Sequence, residues 1–353
     1  MTQKRQVFDK YQHWEELFDP EGSERRSRQR RKPAANHVPK KTRDQIIAEL
    51  TDDLADVDLS FHTTYRPSRY EAGWLLSSLY RFYDEGLITD VLAQVKGGKE
   101  ASVYCCEAHP ATGLGLLAAK VYRPRMFRNL RNDQLYRQGR EILVAGGGLA
   151  GRDAGYIERA IRSKTALGLQ AAHTSWLMYE ITAMERLYEA GAAVHRPIAS
   201  SENAILMCYL GDERLAAPTL NTVQLEREEA ERLFQEVLRN VDLMLQLDLV
   251  HGDLSAYNIL YLEPADGPSE LTLIDFPQVV NLHTNHHSRS ILERDILRAC
   301  EYFGRQGVTC DPAAIMRELW RRYVDKPDPE DLRADWSRLE ATLEEQDPGL
   351  MHA

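Results

Sequence analysis

The chain has 353 residues, a length that suits one large domain or two lobes. Its 43% hydrophobic and 28% charged residues are typical of a soluble globular protein, and no apolar run approaches the ~20 residues of a membrane span. No apolar signal core follows the first residues, and the five scattered cysteines form neither a disulfide framework nor a C-x-x-C metal pair. The sequence therefore argues against a secreted or membrane-spanning protein, and we expect a cytoplasmic one.

Charge is distributed unevenly along the chain. The net charge is −10, but residues 23–43 hold nine Lys or Arg against one Glu, which gives +8 there and −18 elsewhere. A basic segment on an acidic body can neutralise nucleic-acid phosphates, although a solvated leader without any partner has the same composition. We expect residues 1–60 to form a basic, largely disordered leader with one short helix at Val7 to Phe18.

A helix and three strands are predicted after the leader. Apolar residues recur at helical spacing from Leu75 to Tyr83, and Gly86 follows where a helix C-terminal cap belongs. The strands are predicted over residues 91–95, 101–108 and 116–122. A turn between the last two makes them an antiparallel hairpin.

The middle of the chain is predicted to contain an insertion, a helix and two further strands. Residues 123–172 are Arg-rich with weak periodicity, which predicts a partly mobile insertion containing helical pieces. A helical apolar stripe follows from Leu177 to Leu187, and Glu180 lies on it. A carboxylate among core positions requires a cationic partner. Strands are then predicted over residues 194–200 and 204–210.

Helices dominate the remaining sequence. They are predicted over residues 230–245 and 291–303, and Asp311-Pro312 is a cap and first-turn pair for a third. Prolines at 327 and 329 then break the chain before an acidic tail, residues 326–353, with a short helix.

The segment His251 to Asn258 (HGDLSAYN) carries the strongest chemical signal. Together with Asp275, at the end of an apolar run that predicts a buried strand, it offers two carboxylates and one amide for phosphoryl transfer. Asp253 has no basic neighbour within its loop, which suits an ionised carboxylate that orients a hydroxyl. Asn258 is a neutral oxygen ligand for Mg²⁺. His251 is expected to bond backbone, and a capped turn is the weaker alternative for the whole segment.

Two further segments fit the same chemistry. Gly97-Gly98 lies between two predicted strands, where backbone N–H groups can approach phosphates, although most such pairs are only turns. Lys120 ends an apolar run on the next strand, and Glu180 is its natural partner. Without that partner, a solvent-facing edge lysine is the simpler interpretation. His283, His286 and His287 have no metal-ligand spacing, and we expect them to be loop residues.

Five segments together resemble the RIO family of atypical protein kinases over residues 90–325. They are Gly98 to Tyr104 (GKEASVY), Ala119 to Tyr122 (AKVY), Glu180 with Arg186 to Gly191 (RLYEAG), His251 to Asn258, and Ile274 to Gln278 (IDFPQ). The resemblance implies an α+β, two-lobed, protein-kinase-like fold. Its first lobe would contain an antiparallel sheet with one key helix, and its second lobe would be shortened and mainly helical.

The same resemblance implies roles for individual residues. Asp253 would be the catalytic base, and Asn258 and Asp275 would bind Mg²⁺, or Mn²⁺ as an alternative. Lys120 would act with Glu180 on the phosphates of ATP, and Asp275 is also a candidate to carry a transient aspartyl-phosphate. The implied nucleotide-binding residues are Lys99, Ser102, Val103, Lys120, Glu180, Met207, Tyr209 and Leu210.

The resemblance also implies a domain organisation and a reaction. A kinase domain would cover residues 61–325, with lobes at about 90–211 and 212–325. It would transfer phosphoryl groups from ATP to protein Ser or Thr, including its own, or hydrolyse ATP. Lys96-Gly97 stands where family members commonly have Ser-Thr, which is a departure. No winged-helix domain is evident before residue 90, which favours the branch without it.

Two other functions fit parts of the pattern. Aminoglycoside and choline phosphotransferases also carry His-Gly-Asp loops and a later Ile-Asp, although the short second half leaves little sequence for a small-molecule acceptor pocket. An RNA-associated ATPase switch is the other alternative, because RIO proteins act in ribosome maturation. The candidate partner of the basic residues 25–43 is then RNA or a ribosomal particle, and no membrane partner is expected.

Overall fold

The computed structural model describes residues 61–325, apart from residues 62, 99, 124–156, 158, 160, 162, 164–165, 213–214 and 265. The helices are α1 (Arg69–Asp84), α2 (Ala166–Glu189), α3 (Arg227–Gln246), α4 (Ser288–Arg305) and α5 (Pro312–Tyr323). The strands are β1 (Ile88–Gly97), β2 (Ala101–Ala108), β3 (Leu116–Tyr122), β4 (Pro197–Ser200), β5 (Ala204–Cys208), β6 (Leu249–Val250), β7 (Ile259–Leu262), β8 (Glu270–Leu273) and β9 (Val280–Asn281). The predicted leader, the acidic tail and most of the predicted insertion lie outside the described residues.

The first lobe contains an antiparallel sheet with strand order β1-β2-β3-β5-β4. The predicted hairpin is confirmed, since β2 pairs with β3 from Ala101–Tyr122 to Glu107–Leu116. The predicted strand over residues 194–200 was too long at its start. Val194 instead forms a parallel bridge with Leu273, and the Leu273 amide donates to the Ala193 carbonyl at 2.7 Å. These backbone contacts tie the sheet lobe to the second lobe.

Helix α1 covers one face of the sheet. Side chains alternate along each strand, so every second one points toward the apolar side chains of the helix. Along β2, Tyr104 and Cys106 face α1 and are buried with Leu75 and Leu79 of the helix. Gly86 has φ +66° directly after the helix, as the sequence predicts for a C-terminal cap. The opposite face of β2 and β3 is left for α2 and for a cavity.

The second lobe is built around α3, α4 and α5. Helix α3 buries its apolar stripe, and Phe234 packs against Phe303 of α4 with ring centroids 5.2 Å apart. Asp311 caps α5 as predicted, because its carboxylate accepts from the amides of Ala313 and Ala314. The predicted two-lobed α+β architecture is confirmed. No described helix combines the length and hydrophobicity needed to span a membrane.

Candidate active site

A cavity of about 820 Å³ lies between the two lobes. Its sheet-lobe wall includes Val103, Ala118, Lys120, Met184, His195 and Met207. Its helical-lobe wall includes Asp253, Tyr257, Leu260, Ile274, Asp275 and Phe276. Both walls combine apolar side chains with charged ones, which suits a ligand with a flat apolar part and a charged part.

Lys120 is the centre of an ion-pair cluster in this cavity. Its Nζ lies 2.6 Å from Glu180 Oε1 and 2.6 Å from Asp275 Oδ1, so the predicted pairing with Glu180 is confirmed. Glu180 is 1% exposed, and the Tyr122 hydroxyl donates to its other oxygen. Burial alone would lower the pKa of Lys120, but the two carboxylates raise it above its ordinary value. The lysine is therefore a permanent cation.

Asp275 follows β8 in a backbone conformation that a non-glycine residue seldom adopts, with φ +74°. Burial acts to raise the pKa of this carboxyl, but the adjacent Lys120 ammonium outweighs it and holds the pKa below its ordinary range. Asp275 is thus an ionised group on a strained turn. Such strain at a cavity wall is characteristic of functional positions.

The loop that carries Asp253 is fixed by backbone hydrogen bonds to buried groups. Asp295 of α4 is 1% exposed, and it accepts from the amides of Gly252 at 2.8 Å and Leu254 at 3.2 Å. His251 lies within hydrogen-bond distance of the Ile274 carbonyl, and its Nδ1 accepts from the Asp253 amide. The structural role predicted for this histidine is confirmed. The loop is held to the segment that precedes Asp275.

Two side chains hold the Asp253 carboxylate. The Asn258 amide donates to Oδ2 at 3.0 Å, and Arg298 of α4 lies 2.6 Å from Oδ1. The loop itself contains no basic neighbour of Asp253, as predicted, and the basic partner Arg298 comes from the distant helix α4. A guanidinium on one carboxylate oxygen fixes its orientation and balances its charge.

A second cavity, of about 850 Å³, also has Asp253 in its lining. It is lined by Ser255 and Asn258 of the loop, and by Arg298 and Arg305 of α4. Asp253 and Tyr257 line both cavities. A ligand in either cavity therefore has access to the same carboxylate.

The oxygen ligands present fit a hard cation such as Mg²⁺. Asn258 uses its amide nitrogen for both of its bonds to Asp253, which directs the amide oxygen away from them, and Asp275 is ionised. Among the described residues, no three His, Cys, Asp or Glu side chains form a metal cluster. A divalent cation here would complete its shell with phosphate or water oxygens, as Mg²⁺ commonly does.

The other predicted nucleotide-binding residues are distributed as follows. Val103, Met207, Tyr209 and Leu210 line the first cavity, whereas Lys99 lies outside the described residues. Ser102, also predicted to contact the nucleotide, has a fully buried side chain that does not line this cavity, and its role stays a prediction. Side chains alternate along a strand, so the side chain of Ser102 points toward α1 when Val103 points into the cavity.

Sequence inspection missed three residues of this site. Arg298 and Asp295 lie on one face of α4, and a polar residue on the buried side of an amphipathic helix was the available signal. His195 gave a weaker signal, because nothing in the sequence distinguishes it from an ordinary core histidine.

Comparison with known families identifies related proteins. A family model described as the RIO domain matches residues 152–315. The serine/threonine-protein kinase rio1 of Schizosaccharomyces pombe is 29% identical over 235 residues, which cover 66% of this chain and 42% of that protein. The RIO-type serine/threonine-protein kinase Rio1 of Haloferax volcanii is 29% identical over 238 residues, covering 67% of this chain and 70% of that protein.

One solved structure shows the same fold at low sequence identity. It is the Rio2 kinase-ADP/Mg²⁺-phosphoaspartate complex from Chaetomium thermophilum, with a TM-score of 0.50, 21% identity, and coverage of 83% of this chain and 79% of that one. The chain spans about two fifths of the length of the Schizosaccharomyces pombe relative and a larger share of the archaeal one.

Proposed function

Because this chain belongs to the RIO family of atypical protein kinases, we propose that it transfers the γ-phosphoryl group of ATP to protein serine or threonine hydroxyls, or to water. The observation that carries the proposal is the cavity in which Lys120, Glu180 and Asp275 form one cluster with Asp253 on the adjacent wall. Phosphoryl transfer depends mainly on positioning and charge stabilisation, and this arrangement supplies both.

Each charged residue has a role in this reaction. Lys120 would bind nucleotide phosphates, and Glu180 keeps its ammonium group in place from the buried side. Asp253 would accept the hydroxyl proton of the acceptor as the acceptor oxygen bonds to the γ-phosphorus and the bond from that phosphorus to the ADP oxygen breaks. Asn258 and Arg298 hold the Asp253 carboxylate in one orientation, which favours a near-attack geometry.

Asn258 and Asp275 would hold the cation, for which we propose Mg²⁺ with Mn²⁺ as a substitute. When bound, this cation neutralises phosphate charge. Asp275 places an ionised carboxylate beside Lys120 in the first cavity, and Asn258, which is hydrogen-bonded to Asp253, lines the second cavity.

We further propose that Asp275 can receive the phosphoryl group transiently. The Chaetomium thermophilum Rio2 structure is described as an ADP/Mg²⁺-phosphoaspartate complex, which supports the proposal of an aspartate acceptor. In this chain a carboxylate oxygen of Asp275 would bond to the γ-phosphorus as the bond to the ADP oxygen breaks. Water or a hydroxyl would then release the group. A hydroxylamine-labile label on the protein would distinguish this acyl phosphate from phosphoserine.

The test is incubation with γ-labelled ATP and Mg²⁺, comparing the wild type with Asp253→Asn. We expect label on serine or threonine, or as free phosphate, in the wild type and a loss of about 100-fold or more in the variant, since general base catalysis contributes that much. ATP binding should remain. Asp84→Asn changes an exposed aspartate in α1 and is the control. Equal turnover in Asp253→Asn and the wild type would refute the assigned base.

Two narrower proposals concern partners and compartment. Phosphate transfer that responds to a small alcohol or aminoglycoside, and to no protein, would favour a small-molecule phosphotransferase.

We retain RNA or a ribosomal particle as the proposed partner of residues 25–43. Removal of residues 1–45 should then weaken RNA binding and its salt dependence. All five cysteines are free thiols, which supports the reducing cytoplasm as the proposed compartment.

A further inference from the structure

His195 is a polar group in an otherwise apolar part of the first cavity. It precedes β4, and its ring lines the cavity with Ala118, Met184 and Met207, which are all buried in the core. The strand register explains the placement, because Met207 pairs with Ala118 on one side and with Pro197 on the other. This apolar wall is a surface on which a flat base could stack.

The hydrogen bonding of His195 fixes its tautomer. Nδ1 lies 2.9 Å from the carbonyl oxygen of Cys208, and a carbonyl oxygen can only accept. Nδ1 therefore carries the proton. Nε2 is left as an acceptor, with no hydrogen-bond partner among the residues that the structure describes.

The imidazole is also held neutral. Burial lowers the pKa of His195 to about 4, and the nearby Lys120 cation acts in the same direction against the Cys208 hydrogen bond. At neutral pH the cavity wall therefore presents a hydrogen-bond acceptor at Nε2. A shift to the other tautomer would lose the bond to Cys208, and protonation of Nε2 is disfavoured by the lowered pKa.

We propose that His195 is a specificity-determining residue that accepts a hydrogen bond from the exocyclic 6-amino group of adenine, and so selects ATP over GTP. The inference rests on the proposed function, because it assumes a purine nucleotide in the first cavity. Guanine has a carbonyl at position 6, which would face the Nε2 lone pair of His195. Cys208 does not itself line the cavity. The His195 ring, which is bonded to the Cys208 carbonyl through Nδ1, instead presents Nε2 as the acceptor there.

The test is equilibrium binding of three non-hydrolysable nucleotides to the full-length chain with Mg²⁺. They are the β,γ-imido forms of ATP, of GTP and of purine riboside triphosphate, which lacks the 6-amino group. His195→Phe keeps an aromatic ring and removes the acceptor. His195→Asn keeps a donor for the Cys208 carbonyl and an oxygen acceptor. His109→Phe, in the β2–β3 turn away from the cavity, is the matched control.

Loss of the 6-amino group should weaken binding to the wild type and to His109→Phe by about tenfold, the usual effect of one neutral hydrogen bond. In His195→Phe the same loss should have less than a twofold effect, and the preference over GTP should fall by about tenfold. His195→Asn should keep part of the effect of the 6-amino group and part of the preference over GTP. Equal effects of the amino group in the wild type and His195→Phe would overturn the proposal.

Failure of this inference is distinct from failure of the proposed function. Tight binding of all three nucleotides without discrimination would remove only the role of His195, whereas no binding of any nucleotide would refute the ATP site as well. If His195→Phe fails to fold, the wild type decides alone. Equal affinity for the amino and deamino nucleotides then overturns the proposal.

Discussion

Lys120 is held by two carboxylates that differ in their surroundings. Glu180 is fully enclosed and also accepts from Tyr122, whereas Asp275 lies on the cavity wall at the end of a strained turn. Glu180 is therefore the fixed support, and Asp275 is the partner that an incoming phosphate can replace. A buried charge that loses its partner is costly, so the pair with Glu180 should persist with or without nucleotide.

Replacing Glu180 with Gln should lower kcat/KM for ATP by about 10- to 100-fold, because a charge-assisted hydrogen bond contributes about 1.5 to 3 kcal/mol. Steady-state ATP turnover measures the effect. Glu231→Gln removes an exposed ion pair with Arg227, and it should leave turnover unchanged. A Glu180→Gln enzyme with wild-type kcat/KM would contradict the supporting role.

The neutral state of His195 predicts a pH dependence of stability. The unfolded chain protonates this histidine near pH 6.5, but the folded chain does so only at about 4. Falling pH between these values therefore favours the unfolded state. Relative to His195→Phe, the wild type should lose about 2 to 3 kcal/mol of unfolding free energy from pH 7 to pH 4.5.

Urea unfolding at several pH values measures this difference, because the other titrating groups are common to both proteins. Parallel curves of unfolding free energy against pH for the wild type and His195→Phe would show that the folded histidine titrates normally.

The loop before β7 is an element whose shape depends on one glycine and one buried acid. Gly252 has φ +84°, and a Cβ there would lie 2.2 Å from the Gln278 carbonyl oxygen. The loop is thus pressed against the segment that follows Asp275, and Asp295 binds its amides from the other side. Close backbone packing, rather than loop length, determines where Asp253 lies.

Gly252→Ala should therefore lower the free energy of unfolding by about 2 kcal/mol or more, because it combines an unfavourable φ with a steric clash. Gly304→Ala is the matched control. It lies within α4 with no neighbouring atom near the added Cβ, and it should stabilise the protein by up to about 1 kcal/mol. Urea unfolding compares the two. Similar effects of both substitutions would show that the loop can rearrange.

Local sequence patterns were sufficient for most elements. Short apolar segments bounded by turn residues located β2 and β3, and the Asp311-Pro312 pair located the start of α5. The pairing of Lys120 with Glu180 was also predictable, because a carboxylate on a core stripe needs a cation. Contacts between distant segments were not predictable from local patterns. Arg298 reaches Asp253 only because α4 packs beneath the loop, and no local pattern encodes that.

At the scale of the whole molecule, the lobes are connected by backbone pairing as well as by the cavity. Val194 and Ala193 pair with Leu273, so the segment before β4 is bonded to the end of β8. The residues that precede β4 include His195, and those that follow β8 include Asp275. This backbone pairing therefore links the segment of His195 to the segment of Asp275.

Nucleotide binding should consequently stabilise both lobes as one unit. The β,γ-imido form of ATP with Mg²⁺ at 100 times its Kd should raise the unfolding free energy by about 2.7 kcal/mol in a single transition. Hydrogen exchange should show added protection in both β3 and β8. Protection confined to one lobe would contradict this coupling, and the same nucleotide without Mg²⁺ is the control.

The position of Asp253 between two cavities has a consequence for reaction order. If nucleotide occupies the first cavity and the acceptor occupies the second, neither product blocks the exit of the other. Substrates can then bind in either order, and ADP should inhibit competitively against ATP but not against the acceptor. The enzyme would then form a ternary complex with ATP and the acceptor, and it would release its two products in either order.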